Sequence, residues 1–260
     1  MSRHSFGDLI QVLTMGRVAS STVQRSIEGC LGRRVRHLHS INPTRLSAQV
    51  AKSGSLAGTG RSVRDAHAAV IELIRHQGRV KTVTLVRDAI ARNLSAAFAV
   101  VRKRYRQPEA IEAFLSEPDD VRSMWARFYD KRPFRWFDLE IREVLGIDVY
   151  DHPFPEEGVL TIEHGRHELL VMRTELDDTR KSAALADFLG VDDVPLSRAN
   201  ERSRQDEYVE LYEKFRRSVA LEEEYVRSVA ESKYTSHFYG HWAPDDYVDY
   251  WMSETRPSGA

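Results

Sequence analysis

The chain has 260 residues, of which 42% are hydrophobic and 30% are charged; such values are ordinary for a globular protein and exclude disorder as the dominant state. The net charge of -1 excludes a strong overall field that would recruit nucleic acid or an anionic membrane, so any anion site must be local. No apolar run approaches the ~18 residues that span a bilayer, and the single cysteine cannot form an internal disulfide, which fits a reducing, cytoplasmic location.

The first elements alternate between strand and helix. Asp8–Met15 is short and apolar and predicts a buried strand. Ser20–Leu31 has apolar residues at helical spacing, and Ser21 with Gln24 has the spacing of a capping box. Arg34–Ile41 predicts a second strand. This order predicts the opening of a parallel sheet.

The next segments continue the alternation. Ser47–Gly60 is rich in Gly, Ser and Ala and predicts a mobile loop over the sheet edge. Ser62–Gln77 predicts a helix. Val80–Val86 is dense in Val and Thr and predicts a strand, and Asp88–Arg104 predicts the following helix. The two strand–helix turns of this region are therefore expected at one edge of the sheet.

The second half of the chain is richer in helices. Val159–Ile162 and Leu169–Arg173 flank a polar turn and predict a hairpin, whereas Gln205–Val229 predicts one long helix and Glu254–Ala260 a frayed tail. Shorter helices are predicted at Glu109–Leu115, Asp119–Tyr129, Phe137–Leu145 and Arg180–Leu189. We therefore predict a single domain over residues 1–260, of the α/β class. The predicted fold is P-loop-like and three-layered, with a central parallel sheet flanked by helices and a helix-rich C-terminal half.

The turn after the first strand is the first candidate site. It combines a glycine, a cation, small residues and three hydroxyl groups: Gly16, Arg17, Val18, Ala19, Ser20, Ser21 and Thr22. Because a helix N-terminus presents unpaired N–H groups and a partial positive charge, such a turn can bind phosphate. The alternative is an ordinary strand–helix turn whose Arg17 is only solvated.

The turn after Val80–Val86 is the second candidate site. Arg87 ends the strand and is expected to point into the crevice where open α/β sheets bind ligands. Ser95 follows about two helical turns later, so Arg87 and Ser95 are predicted to bind one phosphate. The alternative is a surface pair of Arg87 with Asp88 and an ordinary helical serine.

Two histidines form the third candidate. We expect His37 and His39 to lie on opposite sides of the sheet, so that only one reaches the crevice. A histidine near neutral pKa suits the removal of a proton from a hydroxyl group, and we prefer His39 because it is nearer the end of the strand. The alternative is a structural histidine. A metal site is not expected, because the sequence places no third ligand nearby.

Three other features carry weaker signals. Ser55–Ser62 approaches the P-loop pattern but has Arg61 at the lysine position and no clear preceding strand, so we reject it. Arg102–Arg104 with Arg106 could bind an anionic polymer, but cations at a helix end also suit the helix dipole, and we favour that explanation. Glu140 lies in an aromatic-rich segment and is a substrate-site candidate.

The two candidate turns together resemble the nucleotide-binding motifs of sulfotransferases. Gly16–Thr22 resembles their 5′-phosphosulfate-binding loop, and the segment from Leu85 to Ser95 resembles their 3′-phosphate-binding motif. Within that superfamily the chain is most similar to the bacterial family labelled "putative capsular polysaccharide synthesis protein". This resemblance also rests on His37–His39, Trp136–Glu140, Asp148–Tyr150 and Ser232–Tyr239.

The resemblance implies transfer of a sulfuryl group from 3′-phosphoadenosine 5′-phosphosulfate (PAPS) to a saccharide-like hydroxyl acceptor, as in capsular polysaccharide biosynthesis, with no metal. Arg17 would stabilise transferred charge, Arg87 and Ser95 would bind the 3′-phosphate, and His39 or His37 would act as the base. Many relatives have Lys where this chain has Arg17. No clear copy of their late Gly-rich clamping loop is present, and we assign that role to Lys233.

Three alternatives to this function stay open at the level of sequence. One is a P-loop-type nucleotide kinase, which would need Mg²⁺ and a lysine that the chain does not clearly supply. Another is a catalytically inactive protein with the sulfotransferase fold. The last is a nucleic-acid-binding module that uses the basic run at 102–106, which the near-neutral net charge disfavours.

Overall fold

The structure, a computed structural model, describes residues 8–55, 60–126, 131–196 and 202–255. The strands are β1 (Leu9–Leu13), β2 (Arg36–Leu38), β3 (Val80–Val86), β4 (Val159–His164) and β5 (His167–Arg173). The helices are α1 (Ser20–Leu31), α2 (Pro43–Lys52), α3 (Arg61–Arg75), α4 (Ala89–Tyr105), α5 (Pro108–Leu115), α6 (Pro118–Ala126), α7 (Arg132–Trp136), α8 (Glu143–Leu145), α9 (Asp178–Leu189), α10 (Arg202–Ser218), α11 (Glu223–Ala230), α12 (Lys233–Phe238) and α13 (Pro244–Glu254). A π-helical segment, Phe137–Arg142, joins α7 to α8, and a 3-10 turn spans Val149–Asp151.

The strands form one sheet in the order β2-β1-β3-β5-β4. Neighbouring strands are parallel except at the edge, where β4 runs antiparallel to β5 as the predicted hairpin. The predicted α/β class, with a mostly parallel sheet flanked by helices, is confirmed. From β1 the chain crosses to β2 on one side, and it then returns to β3 on the other side of β1. Sheets of this kind bind ligands where the direction of the crossovers changes, which here is the β1/β3 pair.

Two compact units divide the chain. The first consists of Met1–Arg87 and Arg135–Arg198 and contains the sheet; the second consists of Asp88–Phe134 and Ala199–Ala260 and is helical wherever it has regular structure that is described. The sheet is built on strand residues that exclude water almost completely, among them Val12, Leu13, Val80, Val83, Val86, Leu169 and Val171. The prediction of a single domain stays a prediction.

Local sequence signals explain many boundaries. The structure places α1 at the predicted residues, and Gly32 ends it with a φ of 61° in the left-handed region that glycine favours. The predicted capping box is wrong, because the N-cap residue is Ala19, which has no side-chain acceptor. By contrast, Asp88 caps α4 through a hydrogen bond from the Ala91 N–H to its Oδ1, at 2.8 Å.

The predicted loop at Ser47–Gly60 is wrong over its first part. The helix α2 begins at Pro43 and extends to Lys52. Its start is favoured because Asn42 caps it by accepting from the Arg45 N–H at 3.2 Å and Pro43 follows the cap. Residues 56–59 of the predicted loop lie outside the described residues. The abundance of Gly and Ser around them concealed a helix whose own residues include few of either.

The predicted long helix and frayed tail are also corrected. Instead of one helix, α10 ends at Ser218 and α11 begins at Glu223. Val219 and Leu221 of the connecting segment are buried, so packing uses them in a non-helical segment although their spacing suits a helix. At the C-terminus, α13 includes Glu254, so the fraying predicted to begin there is wrong at that residue; residues 256–260 lie outside the described residues.

Candidate active site at the ends of the parallel strands

Four polar residues directly follow the four parallel strands. In the spatial order of the strands they are His39, Thr14, Arg87 and Thr174, which come after the last residues of β2, β1, β3 and β5. Because parallel strands end at the same edge of a sheet, the topology aligns these side chains along the edge where open α/β proteins bind ligands. All four belong to the first unit.

The turn from β1 to α1 has an unusual backbone. Gly16, Arg17 and Ala19 have φ angles of 82°, 65° and 55°, and a non-glycine residue in this region costs about 1–2 kcal/mol. Val18, between them, is fully buried and anchors the turn. The hydroxyl oxygen of Thr174 lies 2.8 Å from the carbonyl oxygen of Val86 and 3.3 Å from that of Val18. The strained turn is therefore attached to the ends of β3 and β5.

The N-terminus of α1 has the properties of an anion site. Its first N–H groups receive no side-chain cap from Ala19, and Ser21 and Thr22 in the first turn are accessible to solvent. Helix N-termini of this kind carry a partial positive charge and bind phosphate or sulfate groups through the backbone.

Arg87 joins the two candidate turns. Its Nη1 donates a hydrogen bond to the carbonyl oxygen of Arg17 at 3.1 Å. The guanidinium group of Arg87, which is half-buried, therefore lies beside the loop at the start of α1. Arg17 is exposed in the same turn, so two arginines place their charges at the β1/β3 crossover point of a chain whose net charge is only -1.

Hydrogen bonds connect both histidines to Thr14 and Ser20 next to this turn. Nδ1 of His39 lies 3.0 Å from the carbonyl oxygen of Thr14. The Thr14 hydroxyl donates to Ser20 Oγ at 3.1 Å, and Ser20 Oγ lies 2.7 Å from Nε2 of His37. Because the Ser20 oxygen already accepts from Thr14, its own proton is available to His37. The side chain of Ser20 thus belongs to this chain of hydrogen bonds instead of capping α1.

The expectation that His37 and His39 lie on opposite sides of the sheet is wrong. Their rings are 4.9 Å apart and edge-on, because residues two apart along an extended chain point to the same face. Burial, followed by repulsion from His39, lowers the pKa of His37 to about 4, although Glu28 acts in the opposite direction. His37 is consequently neutral at pH 7 and accepts the Ser20 proton at Nε2.

The tautomer of His39 follows from its hydrogen bond. A carbonyl oxygen can only accept, so Nδ1 of His39 carries the proton that it donates to Thr14. The unprotonated nitrogen of the neutral ring is then Nε2, and the residue is exposed to solvent. The ring packs against the turn: a Cβ at Gly16 would lie 3.7 Å from Nδ1 of His39. The geometry therefore presents a nitrogen lone pair beside the loop.

Glu140 stabilises the segment that follows β2. Its carboxylate is fully buried and accepts hydrogen bonds from four groups. The donors are Ser40 Oγ at 2.7 Å, the Ile41 N–H at 2.6 Å, the Asn42 N–H at 2.9 Å and Arg45 Nη1 at 2.9 Å. Trp136 Nε1 donates to the carbonyl oxygen of His39 at 3.1 Å. The prediction that Glu140 is a substrate-site residue is therefore corrected, because both of its oxygens bind the segment after β2.

Two predicted site residues belong to the second unit. Ser95 is half-buried on α4, and Lys233 is the first residue of α12. The basic run 102–106 is also in this unit, at the C-terminal end of α4, where Arg102 lies 4.0 Å from the ring centroid of Tyr208. That location favours the helix-dipole explanation of the run. The rejected P-loop pattern follows helix α2 and not a strand.

Sequence reasoning missed Thr14, Thr174 and Trp136 as parts of the site. The prediction placed Thr14 within the first strand, Asp8–Met15. In the structure β1 ends at Leu13, so Thr14 is the first residue after it. Thr174 follows the predicted strand Leu169–Arg173 directly, so the rule that ligands bind at strand ends would have found it. Trp136 acts through its indole N–H on a backbone atom 97 residues away in sequence, which no local pattern reveals.

Over the described ranges, no group of three or more His, Cys, Asp or Glu side chains could hold a metal ion. None of the helices in these ranges combines the length and the apolar composition that a bilayer span requires.

A comparison with known families gives a match over part of the chain. The family model described as "Putative capsular polysaccharide synthesis protein" matches residues 121–240, which is 120 of the 260 residues. The matched range contains Trp136, Glu140 and Thr174, whereas Gly16–Thr22 and Arg87 precede it. No curated protein and no solved structure matches the chain significantly.

Replacing Glu140 with Gln should strongly destabilise the first unit. Whichever oxygen becomes the amide NH₂ would face donors that now bind a carboxylate, and disrupting a buried charged partner typically costs about 3–5 kcal/mol. Urea unfolding should show this loss of free energy. The exposed Glu163 provides the control: Glu163→Gln should stay within about 0.5 kcal/mol of the parent. Equal stability of the two variants would contradict the supporting role.

His37 should make stability depend on pH in a defined window. Because its pKa is lowered to about 4 from about 6.5 in an unfolded chain, the unfolded state binds the extra proton between these values. Its contribution is complete above pH ~6.5 and is lost as the pH falls toward ~4, by at most about 1.4 kcal/mol per pH unit. His37→Gln should therefore flatten the pH profile of urea unfolding in this window, whereas the exposed His152→Gln should keep the parental profile. A parental slope in both variants would refute the assignment.

Proposed function

We propose that the chain transfers a sulfuryl group from PAPS to an acceptor hydroxyl, most simply that of a saccharide. The observation that carries this proposal is the 3.1 Å hydrogen bond from Arg87 to the carbonyl of Arg17. It unites, at one crossover point, the two turns that resemble the phosphosulfate loop and the 3′-phosphate motif of sulfotransferases. A donor with anionic groups at both ends of its adenosine needs such paired contacts.

In this proposal the β1–α1 turn binds the 5′-phosphosulfate. The N–H groups that begin α1 contact its oxygens, and the left-handed residues Gly16, Arg17 and Ala19 shape the turn around them. Strained backbone often persists at functional sites, where surrounding structure enforces it. Arg17 supplies charge stabilisation to the transferring group, with the planar guanidinium in place of the ammonium that many relatives carry.

Arg87 binds the 3′-phosphate in the same proposal. Its guanidinium presents five N–H donors in a planar fork, a geometry that suits a phosphate, and Nη1 donates to the Arg17 carbonyl. That bond also fixes the guanidinium in place, which lowers the entropy cost of binding. The contributions of Ser95 and Lys233 to the nucleotide site stay predictions.

His39 is the proposed base, and His37 is a positioning residue. Nε2 of His39 takes the proton of the acceptor hydroxyl while the hydroxyl oxygen forms a bond to sulfur. The bond between sulfur and the 5′-phosphate oxygen breaks, and its electron pair stays on 3′-phosphoadenosine 5′-phosphate. Arg17 and the α1 amides stabilise this charge. His37 is held neutral and bound to Ser20, so it suits orientation of the turn better than proton transfer.

The family match supports the saccharide acceptor. The description of that family names capsular polysaccharide synthesis, a process in which hydroxyl groups of sugars are modified. The match covers residues that support the site. The assignment of the donor turn is based instead on the geometry described above.

Arg87→Ala should weaken the binding of adenosine 3′,5′-bisphosphate by about 10- to 100-fold, because a hydrogen bond to a charged group contributes about 1.5–3 kcal/mol. Arg87→Lys should recover part of the loss, since it keeps the charge without the fork. Calorimetry measures both. Arg61→Ala, at an arginine with 88% of its side chain exposed, is the control for loss of charge and should bind normally. An unchanged Kd for Arg87→Ala would reject the nucleotide assignment, and stabilisation by ATP with Mg²⁺ in place of the bisphosphate would favour the kinase alternative.

His39→Asn should reduce sulfate transfer about 10²- to 10⁴-fold, the usual contribution of a general base, while the Kd for adenosine 3′,5′-bisphosphate stays unchanged. Transfer of ³⁵S-labelled sulfate from PAPS to a panel of polysaccharides measures the first quantity, and calorimetry the second. His152→Asn should leave both unchanged. Donor binding without transfer by the parent protein would support the catalytically inactive alternative.

A further inference from the structure

A cavity of about 460 Å³ lies inside the second unit, between the end of α6 and the beginning of α11. Its volume falls within the range of about 300–1,000 Å³ that is typical of small-molecule sites. Six of its side chains carry aromatic or polar groups: Arg122, Trp125, Glu222, Glu224, Tyr225 and Ser228. No residue assigned above to the donor site lines it.

Two aromatic rings form a corner of the cavity. Trp125 and Tyr225 have ring centroids 5.9 Å apart and planes at 77°, and both residues are half-buried. The hydroxyl of Tyr225 accepts a hydrogen bond at 3.3 Å from Nδ2 of Asn93, a residue that is fully buried. The Tyr225 ring is thus held in position by Asn93, and the exposed ring surface of the corner can pack against an apolar face.

The polar lining has mixed charge. Glu222 and Glu224 bring carboxylates, and Ser228 brings a hydroxyl that donates to the Tyr225 carbonyl at 2.7 Å and can still accept. Arg122 brings a guanidinium that is paired with Asp119, and the carboxylates would repel an anion such as a nucleotide. A neutral ligand with several hydroxyl groups suits both signs, because each hydroxyl can donate to a carboxylate and accept from a guanidinium.

We propose that this cavity binds a neutral, hydroxyl-rich ring such as one hexose unit of a saccharide. One face of the sugar packs on Trp125, and its hydroxyl groups bond to Glu222, Glu224 and Arg122. This site goes beyond the proposed sulfuryl transfer, because it requires neither PAPS nor the β1–α1 turn. It assigns saccharide binding to residues of the second unit on their own chemistry.

Saturation-transfer NMR on the full chain tests the proposal. The probes are methyl β-D-glucopyranoside, methyl β-D-galactopyranoside and methyl α-D-mannopyranoside, with tetramethylammonium and inorganic phosphate as charged comparators. At least one glycoside should bind, and Trp125→Ala should weaken that binding about tenfold or more. Trp242→Ala, at a half-buried tryptophan of the same unit that does not line the cavity, should bind as the parent does.

A second matched pair protects the test against a folding defect in Trp125→Ala. Glu222→Gln should weaken glycoside binding, and Glu231→Gln, at an exposed residue just after α11, should not. Adenosine 3′,5′-bisphosphate should not displace the glycoside, which separates this site from the donor site. The proposal is overturned if no glycoside binds, if a charged comparator binds at the cavity in its place, or if the cavity variants bind as their controls do.

Discussion

The parallel pairing of β1 with β3 determines where the candidate site forms. Leu9 to Val12 of β1 align with Val80 to Val83 of β3, so both strands direct their following turns to one edge of the sheet. From β1 the chain crosses in one direction, and from β3 the strand order continues in the other. Open α/β sheets bind ligands at such a reversal of strand order, and Arg87 contacts the Arg17 backbone there.

The site is held in an unfavourable local state by favourable contacts around it. Left-handed φ angles at Arg17 and Ala19 cost free energy, and so does the burial of the Glu140 carboxylate. Four donors satisfy that carboxylate, and burial of Val18 anchors the strained turn. Removing any one of these supports should therefore shift the loop or the segment after β2.

Much of the first unit could be predicted from sequence because its signals are local. The β-branched run Val80–Val86 and the helix Ser20–Leu31 are found at the predicted residues. Prediction failed where distant contacts decide the structure. The spacing of apolar residues predicted one long helix, but Val219 and Leu221 are buried in the segment that separates α10 from α11. The same holds for Glu140, whose polar partners lie 95–100 residues away and are not visible in its own segment. The relative placement of the two histidines failed for a simpler reason, since the period of an extended chain puts residues two apart on one face.

The two histidines differ in the hydrogen bonds that they make. Both rings lie near the β1–α1 turn and near one another, and protonating both would place two positive charges less than 5 Å apart. His37 avoids this by remaining neutral as its burial requires, and its Nε2 is occupied by Ser20. His39 donates from Nδ1 to a backbone carbonyl, which leaves Nε2 as the basic nitrogen. His37 is thus engaged with the β1–α1 turn, whereas His39 is the solvent-exposed ring of the pair.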